Sequence, residues 1–537
     1  MKITVIALIV SVGLFAQQTP ADHQHLAPGK LGSVHFQTSC GPAAQAEFDH
    51  AMALLHSFEF GPAIDGFNAT LAADKTCGMA WWGIALSRWG NPFLASQRGA
   101  AQLAQGLTAV SSAQQIGAKT ARERAYIAAA ATLYTNYETI DQRTRQVAYA
   151  DAMAKLAAAN PDDHEAQIFY ALSLTASAPP TDKTYANQLK AAAILEKLQP
   201  LEPDHPGITH YIIHSYDVPA LADRAMAAAH RYADLAPSAP HALHMPSHTF
   251  TRVGAWQESI DTNIRSAESA RAAGATAEEL HASDYMMYAY LQTGQDAAAK
   301  RLLDSLPAIA TRFDVSATGS AAPGVAGVWA FAAIPARWTL ERRDWKGAAA
   351  LETKQSAYPY ADAMTQLARA LGAVHTGALA EAGKSIAALQ TLQDKLVAAK
   401  EAYWAEQVAI QHEEAAAFLA LASGHADDAL KQLRAAVGRE DATEKNAITP
   451  GPLLPARELL GDMLLELKQP AAALTEYQAV LKKEPRRFRA VYGVAKAAQL
   501  AGDATTARKA FADLVAICER GDTPGRPELA EARRAVK

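Results

Sequence analysis

Three stretches share one spacing: ALGAVHTGALAEA (370–382), AFLALASGHADDA (417–429) and AKAAQLAGDATTA (495–507). In each, a small residue stands seven positions before a glycine and another stands five positions after it. The same frame fits around Gly254 and Gly294, with Ser247 and Met287 before the glycine and Ser259 and Ala299 after it. Closely packed antiparallel helices need small side chains where they cross, so the pattern predicts helical hairpins with a glycine turn.

This spacing resembles that of the tetratricopeptide (TPR) superfamily. Pro203 and Pro237, which mark repeat ends, lie 34 residues apart, which is the TPR period. The resemblance covers roughly Ala44 to Ala512 and implies an all-α TPR-like solenoid, in a secreted bacterial form. No strand alternation, Gly-rich phosphate loop or Gly-x-Ser-x-Gly elbow stands out in the sequence.

The chain is too long for one compact core, so we predict several segments. The loop-like composition of 307–328 predicts a hinge between two half-solenoids. The predicted segments are a signal peptide (1–16), a leader (17–43), an N-terminal solenoid (44–306), the linker (307–328), C-terminal repeats (329–512) and a terminal helix or tail (513–537).

The first residues have the pattern of a targeting segment. Lys2 supplies a positive charge, and Ile3 to Phe15 is an apolar run too short to span a bilayer. We expect cleavage after Ala16 and export to the periplasm or the medium. No later run of about 18 apolar residues follows, so the mature chain is not expected to span a membrane.

The composition of the chain limits the classes of partner that it is expected to bind. Apolar residues make up 50% of the 537 residues and charged residues 20%, which is typical of a globular chain. The formal charge of -5 argues against non-specific nucleic-acid binding, which needs a basic face. We therefore expect a peptide, a protein or a small molecule as the ligand of the solenoid's concave groove.

Of the three cysteines, Cys40 and Cys77 are placed to pair across the first helical hairpin, which would suit an exported protein. Three free buried thiols are the alternative, because sequence alone does not supply the geometry that a disulfide requires.

Histidine is concentrated in one region. Seven of the 17 histidines fall between His205 and His248, and two pairs, His210/His214 and His244/His248, have the i,i+4 spacing. Such pairs lie on one helix face with their Cβ atoms about 5–6 Å apart. Neighbouring helices pack about 8–10 Å apart, so all four imidazoles are predicted to converge on one point.

The TPR resemblance adds an orientation. Framed on the repeat glycines, these histidines, together with His241 and His281, occupy positions that line the concave groove in that family. Imidazole is a preferred ligand of zinc, copper and iron, so we predict a divalent transition metal bound by His210, His214, His244 and His248. The residues predicted to support this site are His241, Asp217, Asp284, Tyr288 and Arg252.

Pro246 falls inside the expected histidine helix, where it removes one backbone hydrogen bond. It predicts a kink or a late helix start near Met245, which would re-aim His241 and His244.

Two classes of function fit the sequence. One is an exported binding protein with a metal centre embedded in its groove, or the same groove without metal, binding a peptide or protein. The other is a metalloenzyme, either an oxidoreductase or a hydrolase. The His-Glu-x-x-His zinc-protease motif is absent from both histidine pairs, which argues against a peptidase of that kind.

Overall fold

The computed structural model describes residues 29–94 and 96–537, and within these ranges it contains helices and no strand. The all-α prediction is therefore confirmed. The predicted signal peptide (1–16) and the leader up to residue 28 lie outside the described residues, so their prediction stays untested.

Most of the helices pack against their neighbours in the chain as hairpins. The first fourteen are α1 (Pro42–His56), α2 (Phe60–Ala73), α3 (Gly78–Trp89), α4 (Ala100–Ile116), α5 (Ala121–Thr132), α6 (Gln142–Ala159), α7 (His164–Ala176), α8 (Ala186–Leu198), α9 (Pro206–Tyr216), α10 (Met226–Leu235), α11 (Pro240–His244), α12 (Pro246–Val253), α13 (Trp256–Ala272) and α14 (Thr276–Gln292). A short 3-10 helix, Ala222–Ala225, precedes α10.

The remaining helices are α15 (Asp296–Ala310), α16 (Gly324–Glu341), α17 (Trp345–Ala349), α18 (Pro359–His375), α19 (Leu379–Ala398), α20 (Ala402–Ala422), α21 (Ala426–Ala442), α22 (Ala456–Glu466), α23 (Pro470–Lys483), α24 (Phe488–Leu500), α25 (Ala504–Ile517) and α26 (Pro527–Ala535). The connection predicted at 307–328 runs from 311 to 323 in the structure. Whether it is a hinge between half-solenoids stays a prediction.

The repeat frame read from the sequence holds at every turn it named. The backbone φ is +72° at Gly254, +66° at Gly294, +79° at Gly377, +86° at Gly424 and +85° at Gly502. This left-handed conformation ends a helix and is open to glycine at low cost. The ten flanking positions are all at least 95% buried, which explains the small residues found at nine of them. The chain is thus a TPR-like helical-hairpin solenoid.

The last turns of the solenoid fold back onto its middle. The Phe488 amide at the start of α24 donates to the side-chain oxygen of Gln292 at the end of α14 (2.9 Å). Near the C-terminus, the Asp522 amide donates to the Gly294 carbonyl (3.0 Å). The superhelix therefore brings residues some 200 positions apart in sequence into contact around α14.

One connection leaves the hairpin pattern. Residues 443–455, which we name the crossing segment, run from the end of α21 to the start of α22. Arg337 of α16 donates to the carbonyls of Gly451 (2.7 Å) and Pro452 (2.8 Å), and the Tyr285 hydroxyl of α14 donates to the Thr449 carbonyl (3.1 Å). These bonds hold the crossing segment against α16 and against α14, which carries His281.

In residues 29–94 and 96–537, no helix combines the length and the apolar character that crossing a bilayer requires.

Arg487 immediately precedes α24, is fully buried and contacts α16 and α22, so its replacement tests how far this long-range packing depends on charge. Its guanidinium lies 2.6 Å from a Glu341 carboxylate oxygen and 2.7 Å from one of Glu458. We expect Arg487→Met to lower the free energy of unfolding by about 3–5 kcal/mol, because it leaves two buried carboxylates without a counter-ion. Urea denaturation followed by circular dichroism measures this change.

The matched control is Arg508→Met on the exposed face of α25, which we expect to alter stability by less than about 0.5 kcal/mol. Equal stability of the two variants would show that the buried ion pairs do not hold the C-terminal turns in place.

Candidate metal centre

Six histidines from three successive parts of the solenoid lie side by side. They are His210 and His214 of α9, His241 and His244 of α11, His248 of α12 and His281 of α14. Each is at least 93% buried. The interruption between α11 and α12 falls at Met245, as Pro246 predicts, because Pro246 has no N–H to give to the helix.

The six rings form two groups of three. His210, His214 and His241 make up the first group, and His244, His248 and His281 the second; within each group, one ligand atom from every residue lies within 4.8 Å of the others. The two groups adjoin, since the His214 and His248 ring centroids are 6.0 Å apart and those of His241 and His244 are 6.1 Å apart.

The four residues predicted to bind one ion are divided between the two groups, with His210 and His214 in the first and His244 and His248 in the second. Seven residues of helix rise about 10 Å, so the row from His241 to His248 is too long for one ion to contact at both ends. His241, predicted as a supporting residue, completes the first group. His281, predicted to lie in the same groove, completes the second.

Hydrogen bonds at Nδ1 fix which nitrogen of several rings carries the lone pair. The His210 Nδ1–H donates to the His56 carbonyl (2.7 Å), and the His248 Nδ1–H donates to a carboxylate oxygen of Asp217 (2.9 Å). His244 Nδ1 lies 2.7 Å from Oδ1 of Asn263, whose Nδ2 donates to the Ser259 carbonyl and so leaves its oxygen facing the ring. Such bonds to the far ring nitrogen are the usual companions of metal-ligating histidines.

These tautomers create a conflict that hydrogen bonding cannot resolve. Nε2 of His244 and Nε2 of His248 face each other at 3.1 Å. With both Nδ1 atoms protonated, both Nε2 atoms carry lone pairs, and two acceptors cannot bond to each other. A cation between them would turn this repulsion into attraction.

Other ring nitrogens are buried without any hydrogen-bond partner among the described residues. They are Nε2 of His210, Nε2 of His214, both ring nitrogens of His241 and Nδ1 of His281. A buried polar atom without a partner costs about 1–3 kcal/mol, so five in one place call for a missing ligand.

Burial also sets the charge of the six rings. It lowers the pKa of His210, His214, His244 and His281 well below the usual value, that of His241 to about 3, and that of His248 to a smaller extent. In each case the cause is the loss of water around the charged form. The rings are therefore neutral near pH 7, which is the form that binds metal.

Asp217 anchors the second group. Its carboxylate accepts from His248, from Nε of Arg252 (2.9 Å) and from Nζ of Lys445 (3.1 Å) in the crossing segment. Burial alone would raise the pKa of Asp217, but the Lys445 and Arg252 cations hold it well below its usual value. Asp217 and Arg252, two of the residues predicted to support the site, thus lie next to His248.

Aromatic rings and the crossing segment close the site. Phe93 stacks on His214 with ring centroids 4.0 Å apart, and Phe58 lies 4.5 Å from the His210 ring. On the other side, the Tyr285 hydroxyl lies 3.4 Å from Nε2 of His248. The histidines therefore lie in a buried site that Phe58, Phe93 and the crossing segment cover.

Two carboxyl groups flank His241. Glu278 lies 3.9 Å from Nδ1 of His241, and one of its oxygens has no partner among the described residues, while Glu59 accepts from the His241 amide (3.4 Å). Burial, reinforced by Glu278, raises the pKa of Glu59 to about 8. Glu278 is thus a further oxygen donor next to the first group.

The side chains of Asp284 and Tyr288 form hydrogen bonds with residues outside the histidine groups. Asp284 accepts from Nε of Arg337 (3.0 Å) and from the Trp329 indole (3.2 Å), which occupies both carboxylate oxygens. The Tyr288 hydroxyl donates to Glu484 (2.8 Å) and accepts from Arg487 (2.9 Å). Their predicted role beside the histidines does not agree with this geometry, because both side chains serve buried ion pairs that hold the later helices.

A third cluster joins His56, Glu165 and His205, and it differs from the first two groups. Glu165 accepts from Nε2 of His56 and from Nε2 of His205 (3.0 Å each), and Nδ1 of His56 lies 2.9 Å from the Tyr211 hydroxyl. Burial would raise the pKa of Glu165, but the two imidazoles hold it well below the usual value. Because its polar atoms are paired, this network ties α1, α7 and α9 together without needing a metal.

The structure joins Cys40, just before α1, to Cys77, just before α3, in a disulfide bond. Cys518 is buried and unpaired. The disulfide lies at the start of the solenoid and takes no part in the histidine groups.

Sequence reasoning missed Lys445, Asn263 and Phe93. Lys445 is 228 residues from its partner Asp217, and no local spacing indicates such a contact. Asn263 lies in the middle of α13, where an asparagine carries no signal beyond its low helix propensity.

Comparison with known proteins adds little. No protein-family model matches the chain, and neither does any curated protein. A solved structure of the human IFIT1 dimer with m7Gppp-AAAA covers 90% of this chain and 96% of its own, with 11% identity and a TM-score of 0.37. A structure of Naa15/Naa10 bound to HypK-THB covers 92% and 90%, with 10% identity and a TM-score of 0.24. Likeness this low carries no argument about function.

Glu165→Gln tests whether the third cluster ties its helices together without binding a metal. The new amide group turns a donor toward one imidazole, so a buried N–H loses its acceptor. We expect the free energy of unfolding to fall by about 1–3 kcal/mol, measured by urea denaturation, with metal content unchanged. Glu202→Gln, in the half-exposed pair with His164, is the control and should cost less than about 1 kcal/mol. Loss of metal from Glu165→Gln would make this cluster a metal site.

Proposed function

We propose that this protein is an exported metalloprotein whose TPR-like solenoid holds two transition-metal ions, one in each three-histidine group. The facing Nε2 atoms of His244 and His248, 3.1 Å apart with both Nδ1 atoms engaged as donors, carry the proposal. The unpartnered nitrogens of His210, His214 and His241 extend it to the first group.

The donor set favours zinc or copper, with iron as the third candidate. Neutral imidazoles bind all three metals, and the absence of thiolate from both groups disfavours sites of the iron–sulfur kind. At nitrogen–metal distances of about 2.0–2.1 Å in a tetrahedral site, ligand nitrogens lie about 3.4 Å apart. The nitrogens in each group already lie within 4.8 Å of one another. Movement of the side chains alone would therefore bring them to the spacing that a bound metal requires.

A metalloenzyme is the second candidate. Three protein ligands per ion leave a coordination position open, as catalytic sites require and closed structural sites do not. The Tyr285 hydroxyl, 3.4 Å from Nε2 of His248, would lie next to that position. The burial of the ligands disfavours a carrier, which would leave its ligands exposed for transfer.

A metal-free groove for a peptide or protein partner is less well supported at this face. The crossing segment and the Phe58 and Phe93 rings occupy the space next to the histidines. Other parts of the concave surface keep that role open, since binding partners there is the common use of a solenoid.

Elemental analysis of the chain, produced without a His tag, tests the metal proposal. We expect about two equivalents of metal per wild-type chain and about one in His210→Gln/His214→Gln or in His244→Gln/His248→Gln. His164→Gln/His230→Gln, outside both groups, is the matched control and should retain both ions. Circular dichroism verifies that each variant is folded.

Absence of metal from the wild type, even after reconstitution with zinc, copper and iron, would overturn the proposal. A single equivalent lost from both double variants would show one shared site instead of two.

Export rests on the sequence of the first 16 residues and is supported by the disulfide, which oxidising compartments favour. We expect mass spectrometry of the mature protein from its native host to find Gln17 at the N-terminus, in the periplasmic or extracellular fraction. A cytoplasmic protein that retains residues 1–16 would contradict this.

A further inference from the structure

A cavity of about 520 Å³ opens to solvent next to the turn between α1 and α2. Its walls come from α1, α2, that turn, the first residues of α14 and the 311–323 connection. None of the six clustered histidines lines it, but Glu59 does, and so does Ala277, which precedes Glu278 on α14. The cavity therefore reaches from the surface to the neighbourhood of the two carboxyl groups that flank His241.

The turn between α1 and α2 separates this cavity from the first three-histidine group. Phe58 has its ring centroid 4.5 Å from that of His210 and 5.6 Å from that of His241. Its backbone φ is +59°, in the turn position that Gly294 occupies, at +66°, between α14 and α15. A bulky residue in this conformation is strained and persists where the surrounding structure requires it. The strained turn places an apolar ring on the histidines and the next side chain, Glu59, in the cavity wall.

Glu59 is the buried carboxylate of this wall. It is 7% exposed, whereas Glu47, Asp65 and Asp314, which also line the cavity, are exposed. Among the described residues, the Glu59 carboxyl group accepts only from the His241 amide, at 3.4 Å. A carboxylate can accept about four hydrogen bonds, so one long bond leaves Glu59 able to meet a cation that arrives through the cavity.

Unpaired lone pairs continue inward from Glu59. Glu278 is 2% exposed; one of its carboxylate oxygens accepts from the Ala322 amide (2.6 Å), and the other is buried without a partner among the described residues. The first of these oxygens lies 3.9 Å from Nδ1 of His241, whose two ring nitrogens are both unpaired. A cation that passed Glu59 would therefore meet oxygen and nitrogen atoms that no protein donor occupies.

The charge of the cavity wall suits a cation. The lining contains four carboxylates and one guanidinium group, that of Arg312. Arg312 binds Glu279 at 2.9 Å, so its charge is already paired. A cleft lined by one sign of charge concentrates ions of the opposite sign and speeds their binding by about 10–10³-fold.

We propose that this cavity is the route by which a divalent metal ion enters the first three-histidine group, with Glu59 as the carboxylate that transfers the ion to His241. The inference rests on the proposed metal centre and adds how its buried ligands are loaded. Glu59 holds the ion only in passage, because the three histidines bind it at equilibrium.

Cobalt(II) uptake by the metal-free full chain tests this route, because cobalt bound by imidazoles absorbs visible light more strongly than cobalt in water. Stopped-flow absorbance measures the rate of uptake, and titration measures the amount bound at equilibrium. The parent protein is His244→Gln/His248→Gln, which retains only the first group intact and is expected to bind about one equivalent.

Glu59→Gln, added to this parent, should slow uptake at least about tenfold, because the amide keeps the size of the side chain and loses its charge. The cobalt bound at equilibrium should not change. Glu138→Gln, which replaces an exposed glutamate outside the cavity, is the matched control and should load like the parent.

A second pair of variants tests passage through the cavity independently of charge. Thr318→Trp places a large side chain at an exposed position of the cavity wall and should slow uptake several-fold by narrowing the entrance. Thr139→Trp, at an exposed position outside the cavity, should leave the rate unchanged. Circular dichroism verifies that each variant is folded.

An unchanged rate in Glu59→Gln or in Thr318→Trp would overturn the route. Loss of bound cobalt at equilibrium from Glu59→Gln would also overturn it, because Glu59 would then be a ligand. A parent protein that binds no cobalt at equilibrium would contradict the metal centre itself, and the route with it. The titration therefore reports on the metal centre and the rates on the route, so the two failures are distinguishable.

Discussion

The geometry of the histidine region depends on one constraint: lone pairs on buried imidazoles need an electrophilic partner. At the protein surface water supplies it, but these rings are almost fully enclosed. Where Nδ1 is occupied by the His56 carbonyl, the Asn263 amide oxygen or the Asp217 carboxylate, Nε2 has only its lone pair to offer. Without a cation at this site, the folded protein would lose several kcal/mol of stability, since each unpaired acceptor costs about 1–3 kcal/mol.

The solenoid explains how six rings reach one place. Successive first helices of the hairpins lie next to one another, so histidines on α9, on α11 and α12, and on α14 form neighbouring rows. The superhelix then brings the crossing segment across these rows, where Lys445 meets Asp217 and Thr449 meets Tyr285. The TPR resemblance by itself implies that the histidines line the concave groove, and this long-range return covers them there.

The sequence therefore predicts local features better than global ones. The glycine turns and the alanines at Ala370, Ala382 and Ala417 follow from the steric demands of a hairpin, which act within about 13 residues, and the interruption at Met245 follows from Pro246 alone. The histidine pairs were equally visible as i,i+4 spacings. Their division into two groups was not, because it depends on the lateral alignment of helices some 30 residues apart in sequence.

The third cluster shows why spacing and residue type do not identify a metal site. His56, Glu165 and His205 have the composition of a good ligand set, and their atoms lie as close together as those of the other two groups. They differ in that Glu165 supplies acceptors to both imidazoles and Tyr211 pairs with His56, which leaves no lone pair stranded. In the third cluster one carboxylate accepts from both imidazoles, whereas in the second group Asp217 accepts only from Nδ1 of His248 and leaves the facing Nε2 atoms of His244 and His248 without a donor. Whether each buried ring nitrogen has a hydrogen-bond partner therefore distinguishes a structural cluster from a candidate metal centre in this fold.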